Sequence, residues 1–192
     1  MEYTKRIIKY ANTAFEEIEN ALKDCKAYEQ NYTGEYLTKH QRERQAAAVQ
    51  IYKKNYAEVQ QELGFVRDAV KRSREKWTAE AVDSTDIKAL SLPISYTKSE
   101  LLAMAERNAG NPLIIRAVTD KAKAQGFDML DFNTPVEVNL DTMQADIERI
   151  AGNLLPACEN WESCHHALTK GGGLVRVFCE NSMEKFNDVN LE

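Results

Sequence analysis

The sequence has no uninterrupted apolar run longer than the five residues Leu101 to Ala105. Nothing in it approaches the ~20 consecutive apolar residues that span a bilayer. The opening MEYTKRIIKY has no apolar core of the secretory kind, so the expected location is cytoplasmic. Cysteine is scarce. Cys25, Cys158, Cys164 and Cys179 are too few and too unevenly placed for a disulfide framework and read as reduced thiols. An excess of basic charge is also missing: 25 Lys and Arg stand against 30 Asp and Glu, with an isoelectric point near 5.4, which disfavours a nucleic-acid module. Proline and glycine are nearly absent from the first half. All four prolines (Pro93, Pro112, Pro135, Pro156) and six of the eight glycines follow residue 92, and a chain without such punctuation can run on in long helices. The same division shows in charge, +2 through residue 82 and −7 beyond it.

What is present begins with a seven-residue beat. Ile7, Ala11, Ala14, Ile18, Ala21, Cys25, Tyr28 and Tyr32 alternate steps of four and three, which keeps one stripe on one side of a slightly underwound helix, the coiled-coil signal. A second series runs through Val49, Tyr52, Tyr56, Val59, Leu63, Val66 and Val70, lapses at Ser73 and resumes at Trp77. Gly34 in the intervening NYTGEY suits a tight, left-handed turn, and a short turn makes neighbouring helices antiparallel. The first helix, of about 28 residues, is too short to cover one reaching from about 36 to 82 at 1.5 Å per residue. Val66, Val70 and Trp77 are therefore left as an expected interaction surface, covered by a second copy of the chain or, nearly as well, by its own C-terminal helices. Tyr28, Tyr32, Tyr52 and Tyr56 are expected to fill the hairpin core with their hydroxyls at its rim.

The second half is read as an extended connector over 83–96 followed by short capped helices. Thr97 and Glu100 form a capping-box pattern. Asn111, Pro112 and Gly126 mark the ends of the next helix. That helix opens on apolar residues, so the pair is expected to be an ordinary helical hairpin and not a DNA-reading helix-turn-helix. VEV at 136–138 is given at most an edge pairing with the connector, Asp141 caps a helix to about Leu155, and 174–192 is left open between strand and helix. The expected fold is all-α: a long antiparallel helical hairpin over 1–82, the connector, and a compact helical subdomain over 97–192, with at most a minor two-stranded element.

One stretch could carry chemistry. Cys158, Cys164, His165, His166 and Cys179 fall within 22 residues, and sulfur and imidazole are ligands zinc prefers. On one continuous helix Cys158 and Cys164 would stand about 120° apart, so the set able to converge on a metal is Cys158, Glu162, His165 and Cys179. No C-x-x-C, H-x-x-x-H, H-E-x-x-H, phosphate-loop or dinucleotide-binding pattern occurs. The expectation is thus no catalytic residues, no cofactor and no resident metal, with zinc at those four residues as the alternative. The basic stretch Arg67 to Lys76 is expected to be a solvated face, a nucleic-acid role being the second alternative.

The segment YTKSELLAMAERNAGNPLIIRAVTDKAKAQGFD resembles, in texture and without a diagnostic motif, small uncharacterised helical proteins encoded in tailed-phage and prophage gene clusters. The resemblance implies a role in virion assembly or in binding and inhibiting a host protein. The expected function is therefore a non-enzymatic protein–protein interaction or assembly role, with a protein partner or self-association, and no membrane.

Overall fold

A computed structural model describes residues 2–128, 140–171 and 174–186. Among the described residues there are eight helices and no strand, so the fold is all-α. VEV at 136–138 lies outside the described residues.

Two long helices come first, α1 (Glu2–Asn31) and α2 (Gly34–Asp83). Gly34 has φ +61, a conformation costly to any residue with a Cβ, and it lets the chain reverse over two residues. The pairing is antiparallel. Tyr3 meets Phe65, Arg6 reaches Glu62 at 2.8 Å, Phe15 meets Tyr52 edge-on, Asp24 accepts from Arg44 at 2.6 Å, and Tyr28 lies beside His40. Arg44 also donates to Glu17 at 2.6 Å. One guanidinium thus spans two α1 carboxylates seven residues apart, which locks the register. The buried residues of α1 include Ile7, Ala11, Ala14, Ile18, Ala21 and Cys25, the stripe expected from the repeat.

The chain divides into two compact units, 1–68 with 142–191, and 69–141 with residue 192. The division is not the expected one at 83–96. In the first unit α6 (Leu140–Leu154), α7 (Trp161–Gly171) and α8 (Leu174–Glu184) belong with the hairpin, and α7 and α8 pack on α1 and on each other. Two long helices offer one continuous apolar face, and burying it takes more than one partner helix. The last segment, 174–184, is helical, which decides between strand and helix.

The second unit is built from short helices with explicit ends. The connector is not wholly extended. Ser84 accepts from the backbone N–H groups of Asp86 and Ile87 and starts α3 (Thr85–Leu90), whose six residues are too few to show a helical period. Thr97 and Glu100 form the capping box of α4 (Lys98–Arg107). Asn111 caps α5 (Pro112–Ala124). That helix ends with Gly126 at φ +80 donating to the Lys123 carbonyl and Phe127 to the Ala122 carbonyl, the paired bonds of a left-handed glycine stop. The core joins Leu90, Leu101, Met104, Ile114, Val118 and Ala122, and Tyr96 packs against it.

Candidate functional site

The cysteine and histidine stretch is not one helix. Pro156 has no N–H to continue α6, residues 156–160 are non-helical, and α7 begins only at Trp161. Asn160 caps it by accepting from the Ser163 N–H at 2.9 Å, while the Ser163 hydroxyl accepts from the N–H groups of Glu159 and Asn160, each at 3.1 Å. The 120° separation expected for Cys158 and Cys164 therefore does not hold. The non-helical segment carries Cys158 outside α7, where its thiol contacts Tyr52 and is a neighbour that raises the Cys164 thiol.

Cys158 contacts Tyr52 of α2. The Tyr52 hydroxyl donates to the Pro156 carbonyl at 2.9 Å and accepts from the Cys158 thiol at 3.4 Å. Tyr52 is fully buried. Burial first, then the Cys158 contact, pushes its phenol far above the usual range, so it stays neutral. Cys164 is also fully buried, and its thiol is pushed up to about 12, chiefly by desolvation and next by the neighbouring Cys158, with Lys53 opposing. Cys158 is half-buried. Nothing in the sequence points to Tyr52 as part of this cluster, because it lies 106 residues before Cys158.

The four residues of the alternative zinc set do not converge. Cys158 contacts Tyr52, Glu162 is exposed, and His165 stacks on Trp161 with ring centroids 6.1 Å apart. Cys179 is buried, its thiol raised by desolvation with Arg149 and Glu180 as its charged neighbours. Among the described residues no three His, Cys, Asp or Glu side chains are grouped to hold a metal. His166 is exposed.

The expected interaction surface is also corrected. Val66 and Val70 are 0% and 2% exposed within the single chain, and Trp77 is half-buried. In the first unit Arg67 pairs with Glu148 of α6 at 2.8 Å. In the second, the Asn111 side chain donates to the Trp77 carbonyl and to Glu80, each at 3.0 Å, while its oxygen caps α5. Two cations of the basic stretch stand beside carboxylates, Arg67 with Glu148 and Lys71 with Glu75.

The exposed apolar side chains lie elsewhere. On α8, Val177 is 52% and Phe178 is 68% exposed, while Cys179 and Met183 of the same helix are buried. Consecutive helical residues diverge by about 100°, so the run Val177-Phe178-Cys179 cannot face one core, a signal the sequence does carry. The tyrosines divide. Tyr52 is core, Tyr28 and Tyr56 are half-buried, and Tyr32 stacks on His40 at 4.5 Å beside the turn, where Tyr36 is 72% exposed. An open groove at the start of α2, lined by Gly34, Glu35, Thr38, Lys39, Arg42 and Glu43, holds two cations against two carboxylates. Among the described residues no helix is long and apolar enough to cross a membrane. Compared with protein-family models, curated proteins and solved structures, the chain has no match.

Proposed function

We propose that the protein is a non-enzymatic interaction or assembly protein that docks on another protein through α8. The observation that carries this reading is the adjacent pair Val177 and Phe178, both more than half exposed on a helix whose other side is seated through Cys179 and Met183. Leaving a Phe and a Val in water forgoes roughly 1.5–3 kcal/mol apiece, and an aromatic side chain held on a rigid helix loses little conformational entropy when it enters a pocket. The partner chemistry that fits is an apolar pocket on a folded protein. If the phage resemblance holds, that partner is a virion component or a host protein.

The test compares the proteins retained from native-host lysate by the wild-type chain and by Val177→Ser/Phe178→Ser, alongside their melting temperatures. Both positions are exposed, so stability should move by no more than about 0.5 kcal/mol while a specific band disappears. The same bands on both proteins would overturn the assignment of the surface.

A further inference from the structure

We propose that residues 91–95, between α3 and α4, form a rigid docking loop that seats Leu92 and Ile94 in an apolar pocket of a partner protein whose rim carries carboxylates. This surface belongs to the second unit and is separate from α8. Its polarity is inverted. Leu92 and Ile94 are 50% and 51% exposed, with Pro93 exposed between them, while the backbone polar groups of the loop are taken up by the protein. Lys121 of α5 donates to the Leu90 carbonyl at 3.3 Å and to the Leu92 carbonyl at 3.0 Å. One turn on, Gln125 uses both ends of its amide: Oε1 accepts from the Tyr96 N–H at 3.2 Å, and Nε2 donates to the Ile94 carbonyl at 3.5 Å. The Leu92 N–H donates to the Ala89 carbonyl at 3.0 Å. The Tyr96 hydroxyl returns to that same carbonyl, and its ring packs against the core of the unit.

Two consequences favour an apolar pocket. The carbonyls of Leu90, Leu92 and Ile94 already have donors and Pro93 has no N–H, so these groups enter a dry site without being stranded there, a loss that ordinarily opposes burying a loop. The loop is also fixed before it binds, which lowers the ordering cost of association. Charge supplies the chemistry of the rim. Residues 87–99 (IKALSLPISYTKS) hold Lys88 and Lys98 and no carboxylate, and Lys121 lies over the Tyr96 ring, 5.5 Å from its centroid. The flanking carboxylates are engaged within the unit, Asp86 by Arg107 and Glu100 by the Thr97 N–H. An apolar patch set among lysines, in the part of the chain whose balance is −7, is complementary to a pocket edged by Asp or Glu. A lipid surface fits less well, because two half-exposed aliphatic side chains bury little apolar area and the net charge of −5 opposes anionic headgroups.

The experiment places the photoreactive residue p-benzoylphenylalanine at position 94 of the full-length chain, irradiates it in native-host lysate, and identifies the adduct and its linked residue by mass spectrometry. The captured protein is then produced alone, and its Kd for the wild-type chain is measured by titration calorimetry. The expected result is a linked residue set among apolar side chains with Asp or Glu beside them, and a Kd that rises at least about tenfold with Leu92→Ser/Ile94→Ser. Gln125→Ala, which leaves both apolar side chains in place but releases the loop, should raise it about threefold. Binding should weaken between about 0.1 and 0.5 M NaCl. Circular dichroism confirms that the variants are folded, and Leu92 and Ile94 are exposed enough for their replacement to leave the melt unchanged. No light-dependent adduct, adducts confined to a second copy of the chain or to lipid, or a Kd indifferent to the double substitution or to salt would overturn the proposal.

Discussion

The two units of this chain reach helical structure by different routes. In the first, α1 and α2 rely on length and on a repeating apolar stripe; Gly34 turns the chain, and the start of α2 carries no side-chain cap comparable to those of α4 and α5. In the second, α3, α4 and α5 are 6, 10 and 13 residues long, and each begins with a side chain that accepts a backbone N–H in its first turn. The lesson is one of proportion. The unpaired groups at a helix end are a fixed number. They are a small part of a 50-residue helix and a large part of a 10-residue one, so short helices need local specification where long ones can draw on packing.

The largest expected effect breaks the packing route. Val59 is fully buried on the α2 stripe, and Val59→Asp places an unpaired carboxylate there, a cost of several kcal/mol, visible as loss of the cooperative melt by circular dichroism. Next is Leu101→Ala in the second unit, where removing a fully buried side chain from the core around Val118 should cost about 2–5 kcal/mol in a urea titration. Asn111→Ala should follow at about 1–2 kcal/mol, because the same side chain caps α5 and bonds to Trp77 and Glu80. Thr33→Ala, before the uncapped start of α2, should change stability by less than about 0.5 kcal/mol. A loss at Thr33 as large as the loss at Asn111 would erase the distinction between the two routes.

Acid sharpens the comparison further, through a smaller term. In the second unit Asp86 is held below its ordinary carboxylate value, chiefly by hydrogen bonds from Arg107 and also by Asn108, against a desolvation cost. A carboxyl lowered in the folded state contributes stability that is fully present above its unfolded value, near 3.8, and is lost as pH falls through the folded value. The stability gap between wild type and Asp86→Asn should therefore be widest above about pH 5 and close below about pH 4. A gap that stays constant across that range, measured by urea titration at each pH, would remove the ion pair from the account of α3.

Much of the fold could be read in advance, and for identifiable reasons. The hairpin was legible because a seven-residue repeat sustained over α1 has few other structural solutions. The ends of α4 and α5 were legible because the pairing of Thr97 with Glu100, and Asn111 followed by Pro112, act within one turn of chain. α3 was missed because six residues show no period and its cap is a single serine. The sites were less legible. Cys158, Glu162 and His165 were grouped on the premise of one continuous helix, with Cys179 folding back across the glycine loop, and the non-helical residues 156–160 break that premise.

By itself, then, the sequence determined that the chain is helical, where it reverses, which α1 face is buried and how the short helices start, since all of these depend on interactions between residues within a turn or on a repeat along one helix. Only the tertiary structure decided that Val66 and Val70 are internal, that α7 and α8 cover α1, and that Tyr52 meets Cys158. Tyr52 and Cys158 are 106 positions apart, and α1 and α8 are farther apart still. Which distant helix covers an apolar stripe depends on how every other helix in the unit is covered at the same time, and no local pattern in the chain records that competition.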